Sequence, residues 1–481
     1  MITTTEIRIK QLSDYEKVGR KIEDISPQYI DRSIIEMLKQ KIGLAVELVV
    51  VEYPYYDRDY LSTYYLHYAQ KLKSYPKECI RLHFFRSSRR KNKYEGYMVL
   101  RPLYVDNNKI GHTVLSPSIV LNEPAFLMLC DTKVHLVGTD YHVEAFPWMK
   151  QDTDITTCAH VALWSLLRFF GLRFSQYENP SLGNTIEKVR EEWGRKVPSH
   201  GLNAVQVSSV LSEYGLYPII RSKRTSVHQH PSLIAEMFAY LESGIPIIGM
   251  SQSIEHAFSI IGHGKVYTER LKTDIHFRER IKEPGTNCIL HSSLINSVYV
   301  MDDNLFPYRK LERMVYAKSD TRYSMHQISY IIVPLYARVQ LEYHDVYTRF
   351  RCLIQEGEME WHGDRIVRIY LTSENAVKRH AMNVSNMNNE LADILRWLNM
   401  SRFVWCIDIS TIEEYDKHEI SGRVLIDSTA GSKDLEPWIL MHDRKKIRFR
   451  EDNVMQEQLV NIDPYEEFVH NLYPVGESKY D

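Results

Sequence analysis

The chain of 481 residues is long enough for about three domains of ordinary size. Its 60 Lys and Arg against 62 Asp and Glu leave a formal net charge of −2, so no global field draws it to nucleic acid or to an acidic membrane surface. The opening Met1-Ile-Thr-Thr-Thr-Glu-Ile-Arg8 has no apolar signal core, and the longest apolar stretch, 42–51, carries Glu47 and falls well short of the ~20 residues of a membrane span.

Six cysteines stand far apart, at positions 79, 130, 158, 288, 352 and 406. No CxxC pair occurs, so their spacing suggests neither a zinc site nor a disulfide framework. The expectation is a cytoplasmic protein with no membrane segment, no metal and no cofactor. His228-Gln-His230 is the nearest thing to a metal pair and reads as a solvated loop.

Residues 1–145 read as an N-terminal α/β unit. A helix is expected over 27–41, with Ile30, Ile34 and Leu38 on one face and Gly43 as its stop. A buried strand follows at 44–52. Leu61, Tyr64, Tyr65, Tyr68 and Leu72 then recur at helical spacing, a stripe that reads as core. Two strands, 80–85 and 96–104, flank the basic run Arg86-Ser-Ser-Arg-Arg-Lys-Asn-Lys93. Beside Phe84, Phe85 and Tyr94 that run has the residue types of a phosphate contact, but charge runs on hairpin loops are ordinarily solvated. Nucleic acid is not expected as a partner.

The central unit, 146–335, opens on the most informative segment: Gln151-Asp-Thr-Asp-Ile-Thr-Thr-Cys158, then Ala-His-Val-Ala-Leu-Trp-Ser-Leu-Leu-Arg-Phe-Phe-Gly171. Thr156 or Thr157 suits the N-cap and Gly171 the stop. Cys158 then falls in the first turn, among unpaired backbone N–H groups at the positive end of the helix dipole. Helix N-termini favour the thiolate, the nucleophilic form of cysteine. The helix is apolar nearly all round, so it runs through a core.

A cysteine nucleophile needs a base and the base an orienting group. Two apolar runs, 244–250 and 256–262, are bounded by Gly and Pro like buried strands. His256 stands at the mouth of the second and His263 near its end. Seven positions apart on a regular strand, they point to opposite faces, so His256 is the chosen base and His263 its alternate. A third strand, 297–301, ends in Asp302-Asp303-Asn304. One carboxylate there would hold the imidazole tautomer; Asp302 is the choice and Asp303 the alternate.

The last unit, 336–481, reads as mostly β. Segments 330–343 and 346–354 are expected to form a hairpin about His344-Asp345, with further strands at 365–371, 403–409, 422–426 and 445–450. One amphipathic helix, 389–398, carries Leu391, Ile394, Leu395 and Leu398. The tail after Asp463 is expected to be loose.

From Gln151 to Asp303 the chain resembles the papain-like cysteine peptidases, in particular their C39-like branch. Four stretches carry the resemblance: the glutamine-to-cysteine helix ending in Phe169-Phe170-Gly171; the run from Gly201 to Gly215-Leu216; Leu241-Glu-Ser-Gly244-Ile-Pro246 leading to His256-Ala-Phe-Ser-Ile-Ile-Gly262; and the strand ending in Asp302. The resemblance implies an α+β fold, with a helix packed on an antiparallel sheet. It also implies roles: Cys158 as nucleophile, His256 as general base and acid, Asp302 as orienting acid and Gln151 as oxyanion donor. The chain departs from the family pattern in having Ala159 after the cysteine and in placing the glutamine seven residues upstream rather than six. It also has Asp302-Asp303 where Asp-Pro is common, and a long insertion over 267–297. The expected activity is peptide or isopeptide hydrolysis through a thioester, on a polypeptide substrate, with the flanking units selecting substrate or binding a regulatory protein. Acyl transfer of the transglutaminase type, and a catalytically silent scaffold, are the alternatives.

Overall fold

The computed structural model describes residues 3–88, 91–104, 109–152, 154–190, 201–223, 232–314, 323–359, 363–434, 436–452, 454–468 and 471–476. His228 and His230, and residues 89–90 at the tip of the basic run, lie outside them. The fold is mixed α+β, built on three larger sheets that are antiparallel but for one strand pair.

The N-terminal sheet takes its strands in sequence order: Thr3–Arg8, Leu48–Tyr55, Cys79–Ser88, Lys91–Leu100 and Ile110–Leu115. Every pairing in it is antiparallel. The helix expected over 27–41 is divided. Ser26 accepts a hydrogen bond from the Gln28 backbone N–H and starts a 3-10 turn at Pro27–Tyr29, whereas Asp31 accepts from Ile34 N–H and starts the helix Arg32–Lys41. Two capping side chains within six residues offer the backbone an alternative to one continuous helix. The aromatic stripe begins on the helix Arg58–Leu66, capped by Asp57. That helix ends before Leu72, which is fully exposed and belongs to no core.

The central sheet runs Arg309–Glu312, Ser297–Met301, His256–Gly264, Ile247–Ser251, Tyr330–Leu335, Tyr217–Ser222. The helix Cys158–Arg173 packs on it, with Ser165 Oγ 3.1 Å from Ser259 Oγ and Ser259 Oγ donating to the Ala162 carbonyl at 3.1 Å. Gly171 does not stop this helix. A Cβ there would lie 2.5 Å from the Glu178 carbonyl oxygen, so the glycine admits the returning chain against the helix's last turn.

Strands from elsewhere complete the central sheet. Ala125–Leu127 pairs with His256–Gly264, and Tyr473–Val475 pairs with Ala125–Leu127. The 267–297 segment gives the short helices Glu269–Thr273 and Ile275–Ile281 and then the strand Cys288–Leu290. That strand pairs parallel with Arg365–Ser373 and forms one edge of the third sheet, which continues through Phe403–Ser410, Gly422–Asp427, Trp438–His442, Lys446–Glu451 and Val454–Leu459.

Three expectations for the C-terminal part are corrected. The segment 346–354 is not a strand but lies inside the helix Tyr343–Gln355. Its buried residues are Tyr343, Val346, Tyr347, Phe350 and Leu353, the spacing of one helical face, and that period outweighs the β-type composition. With Glu374–Asn383 and Asn389–Trp397 also helical, the region is mixed rather than mostly β. Nor are the described residues after Asp463 loose: Tyr465 and Leu472 are buried. Among the described residues no helix is long and apolar enough to cross a membrane.

Candidate active site

The site begins with the turn before the central helix. Buried Asp152 accepts hydrogen bonds from the backbone N–H groups of Ile155 and Thr156, both at 2.8 Å, and folds the chain toward the helix start. Thr157 is the N-cap, with extended backbone and a reciprocal capping box to His160. Cys158 is therefore the first helical residue, and it is half-buried.

His256 opens its strand after a four-residue turn, and Glu255 sits in that turn with a left-handed φ of 48°. The register Ser259↔Met301 runs the neighbouring strand past it, which brings Asp302, just beyond Met301, beside the histidine. His256 Nε2 lies 2.9 Å from Asp302 Oδ1. Cys158 lines the same cleft as the ring and contributes to its raised pKa. With Nε2 engaged by Asp302, Nδ1 is the nitrogen left for the thiol. Burial alone would push the His256 pKa down, but its bond to Asp302, the Cys158 thiol, and the charges of Asp302 and Asp303, outweigh burial and push it up to about 10.

Asp302 is held from several sides. Its Oδ1 accepts from Asn304 N–H at 2.8 Å, its Oδ2 accepts from the Tyr323 hydroxyl, and its carbonyl accepts from Trp148 Nε1 at 2.8 Å. Burial would raise its pKa, but the bonds from His256, Tyr323 and Asn304 keep it lowered. Asp303 is different: burial pushes it up to about 7, and neither carboxylate oxygen has a hydrogen-bond partner.

The structure thus brings Cys158, His256 and Asp302 together, with Asp303 behind the histidine. Gln151 lines the same cleft, where its Nε2 donates to Asn304 Oδ1 at 3.3 Å. His263 stands apart from them, buried, with Nε2 at 2.6 Å from Glu242 Oε1. Sequence reasoning assigned no role to Tyr323, Trp148 or Asn304. Asn304 adjoins the predicted acids and had a local signal; Tyr323 and Trp148 had none.

The cleft has a volume of about 1550 Å³, and its walls include Leu202, Met250, Ile254, Leu305 and Tyr330. Few of its lining side chains are charged.

Among the described residues three groups of His and acid side chains have metal-ligand spacing: His256 with Asp302 and Asp303, Asp57 with Asp59 and His112, and Glu242 with His263 and His291. In the second, the Arg168 guanidinium lies 3.2 Å from Asp59, and Asp59 Oδ1 accepts from Trp164 Nε1 and Leu182 N–H. Compared with known proteins, the chain matches no family model, no curated protein and no solved structure.

Proposed function

We propose that the protein is a papain-like cysteine peptidase that hydrolyses amide or isopeptide bonds through a thioester. The observation that carries this reading is the meeting of Cys158, His256 and Asp302 in one cleft, with 2.9 Å between Asp302 and the imidazole and the thiol at a helix start. Cys158 Sγ attacks the substrate carbonyl and its proton rests on His256. Asp302 holds the ring and balances the imidazolium. The Cys158 backbone N–H and Gln151 are the donors for the developing oxyanion. His256 then protonates the leaving amine, and water, activated by the same ring, releases the acid.

The cleft favours a polypeptide substrate, and neither nucleic acid nor membrane enters this reading. Six unpaired cysteines suit the reducing cytoplasm. The sheets that flank the site supply surfaces for substrate selection or a regulatory protein.

The test is incubation with a panel of uncharged peptides and isopeptides, read by product mass. The wild type is expected to cleave members of the panel and Cys158→Ala none. A wild type that cleaves nothing, with Cys158 alkylated no faster than exposed Cys352, would leave the silent scaffold as the reading. Added primary amine separates hydrolysis from acyl transfer, since transfer yields the amine adduct.

A further inference from the structure

Outside the Cys158 cleft, three side chains meet in a fully buried pocket against the third sheet. Glu242 ends the helix Leu233–Glu242, His263 lies near the end of the strand His256–Gly264, and His291 opens a 3-10 turn in the 267–297 segment. Their exposures are 1%, 0% and 3%. Glu242, His263 and His291 each offer one ligand atom, and all three atoms lie within 4.8 Å of one another.

The opposite edge of each side chain is tied down. His263 Nδ1–H donates to the Gly264 carbonyl at 2.8 Å, which leaves the lone pair of a neutral ring on Nε2. His291 Nδ1 meets the Tyr415 hydroxyl at 2.6 Å, and Glu242 Oε2 accepts from Arg368 Nε at 2.7 Å. Outer contacts of this kind fix the tautomer and aim of metal-binding histidines and hold ligating carboxylates.

One shared proton leaves the group incomplete. Placed between His263 Nε2 and Glu242 Oε1, 2.6 Å apart, it leaves His291 Nε2 at 3.4 Å from the same oxygen, buried and without a hydrogen-bond partner. Such an orphan is a standing cost to the fold. A single cation takes all three lone pairs. With neutral imidazoles, Glu242, Arg368 and Glu467, which lies 3.8 Å from Arg368, together carry one net negative charge, so a cation is electrostatically welcome. Zinc bonds of about 2.0–2.2 Å in a tetrahedron place ligand atoms roughly 3.3–3.5 Å apart. The Glu242–His291 separation of 3.4 Å meets this, while the Glu242–His263 pair, at 2.6 Å, has to open to admit the ion. A void of about 10 Å³ beside Glu242, His291 and Arg368 has room for one water as fourth ligand.

We infer that Glu242, His263 and His291 bind one divalent transition-metal ion of the zinc class, which fastens the 267–297 segment and the third sheet to the central sheet. The role is structural: the pocket is closed, and Arg368 and Tyr415, which brace the ligands, come from the C-terminal part. The inference does not depend on the peptidase reading.

The experiment is metal analysis of untagged, purified protein. About one zinc per chain is expected. Chelation should lower Tm, and added Zn2+ should restore it. His291→Gln should lose the ion, while Cys158→Ala and His256→Ala keep it, which separates this pocket from the cleft. Since His291→Gln could misfold, the chelated wild type is also loaded with Co2+: a tetrahedral cobalt spectrum without a thiolate band supports the site. No stoichiometric zinc and no uptake after chelation, a thiolate band, or loss of the ion in His256→Ala would each overturn it.

Discussion

Asp303 Oδ1 stands 3.8 Å from the same His256 nitrogen that Asp302 approaches to 2.9 Å, so one imidazole faces two carboxylates in unequal states. Asp302 is ionised and bonded from several sides; Asp303 is buried and unbonded. The second carboxylate adds negative potential behind the ring without competing for its hydrogen bond.

Asp303→Asn tests that arrangement through pH. An acid whose folded-state pKa is raised contributes stability that is full below the unfolded value and is lost as pH rises through the folded one. For Asp303 the loss falls between about 3.9 and about 7. Denaturant unfolding should therefore find Asp303→Asn more stable than the wild type at pH 8, by up to about 3–4 kcal/mol, with the gain gone at pH 4. An equal difference at both pH values would refute this charge state.

Cys158 should be alkylated by iodoacetamide faster than Cys352 at pH 6. Cys352 is exposed, so access alone does not favour Cys158; its advantage is its place at a helix start in the cleft that His256 lines. His256→Ala should abolish the advantage, as read by peptide mass mapping.

His256 has its pKa pushed up to about 10, the raised-base case. The stability of its pairing with Asp302 is full below about 6.5 and lost as pH rises from there toward about 10. Asp302→Asn should remove this loss from the stability profile and lower kcat/KM by about 10²- to 10⁴-fold. Tyr323→Phe, which takes one donor from the Asp302 carboxylate, should cost about 1.5–3 kcal/mol of stability or transition-state energy.

Gly171→Ala sets two effects against each other. Alanine is better in a helix by ~1 kcal/mol, but its Cβ would meet the Glu178 carbonyl at 2.5 Å and Asn179 N at 2.8 Å. Backbone atoms cannot swing aside, so overpacking of about 1–3 kcal/mol should win. Thermal melting should place this variant below the wild type.

What could be read in advance followed from period and position. The helix at 158 announced itself by a cysteine after threonine caps and an apolar run, and the acids at 302–303 by ending a strand. Residues 343–354 misled because Val and Tyr are frequent in strands, although Val346, Tyr347, Phe350 and Leu353 have helical spacing. Gly171 looked like a stop because the close approach of residue 178 has no local signature. Glu242, His263 and His291 lie on three different elements with no shared spacing, so only the tertiary fold displays them as one group.

The last described strand, Tyr473–Val475, is laid against Ala125–Leu127, which in turn borders the strand that His256 opens. During synthesis this seam can close only after residue 475 has left the ribosome. A nascent chain therefore displays Cys158 and His256 long before this seam is in place.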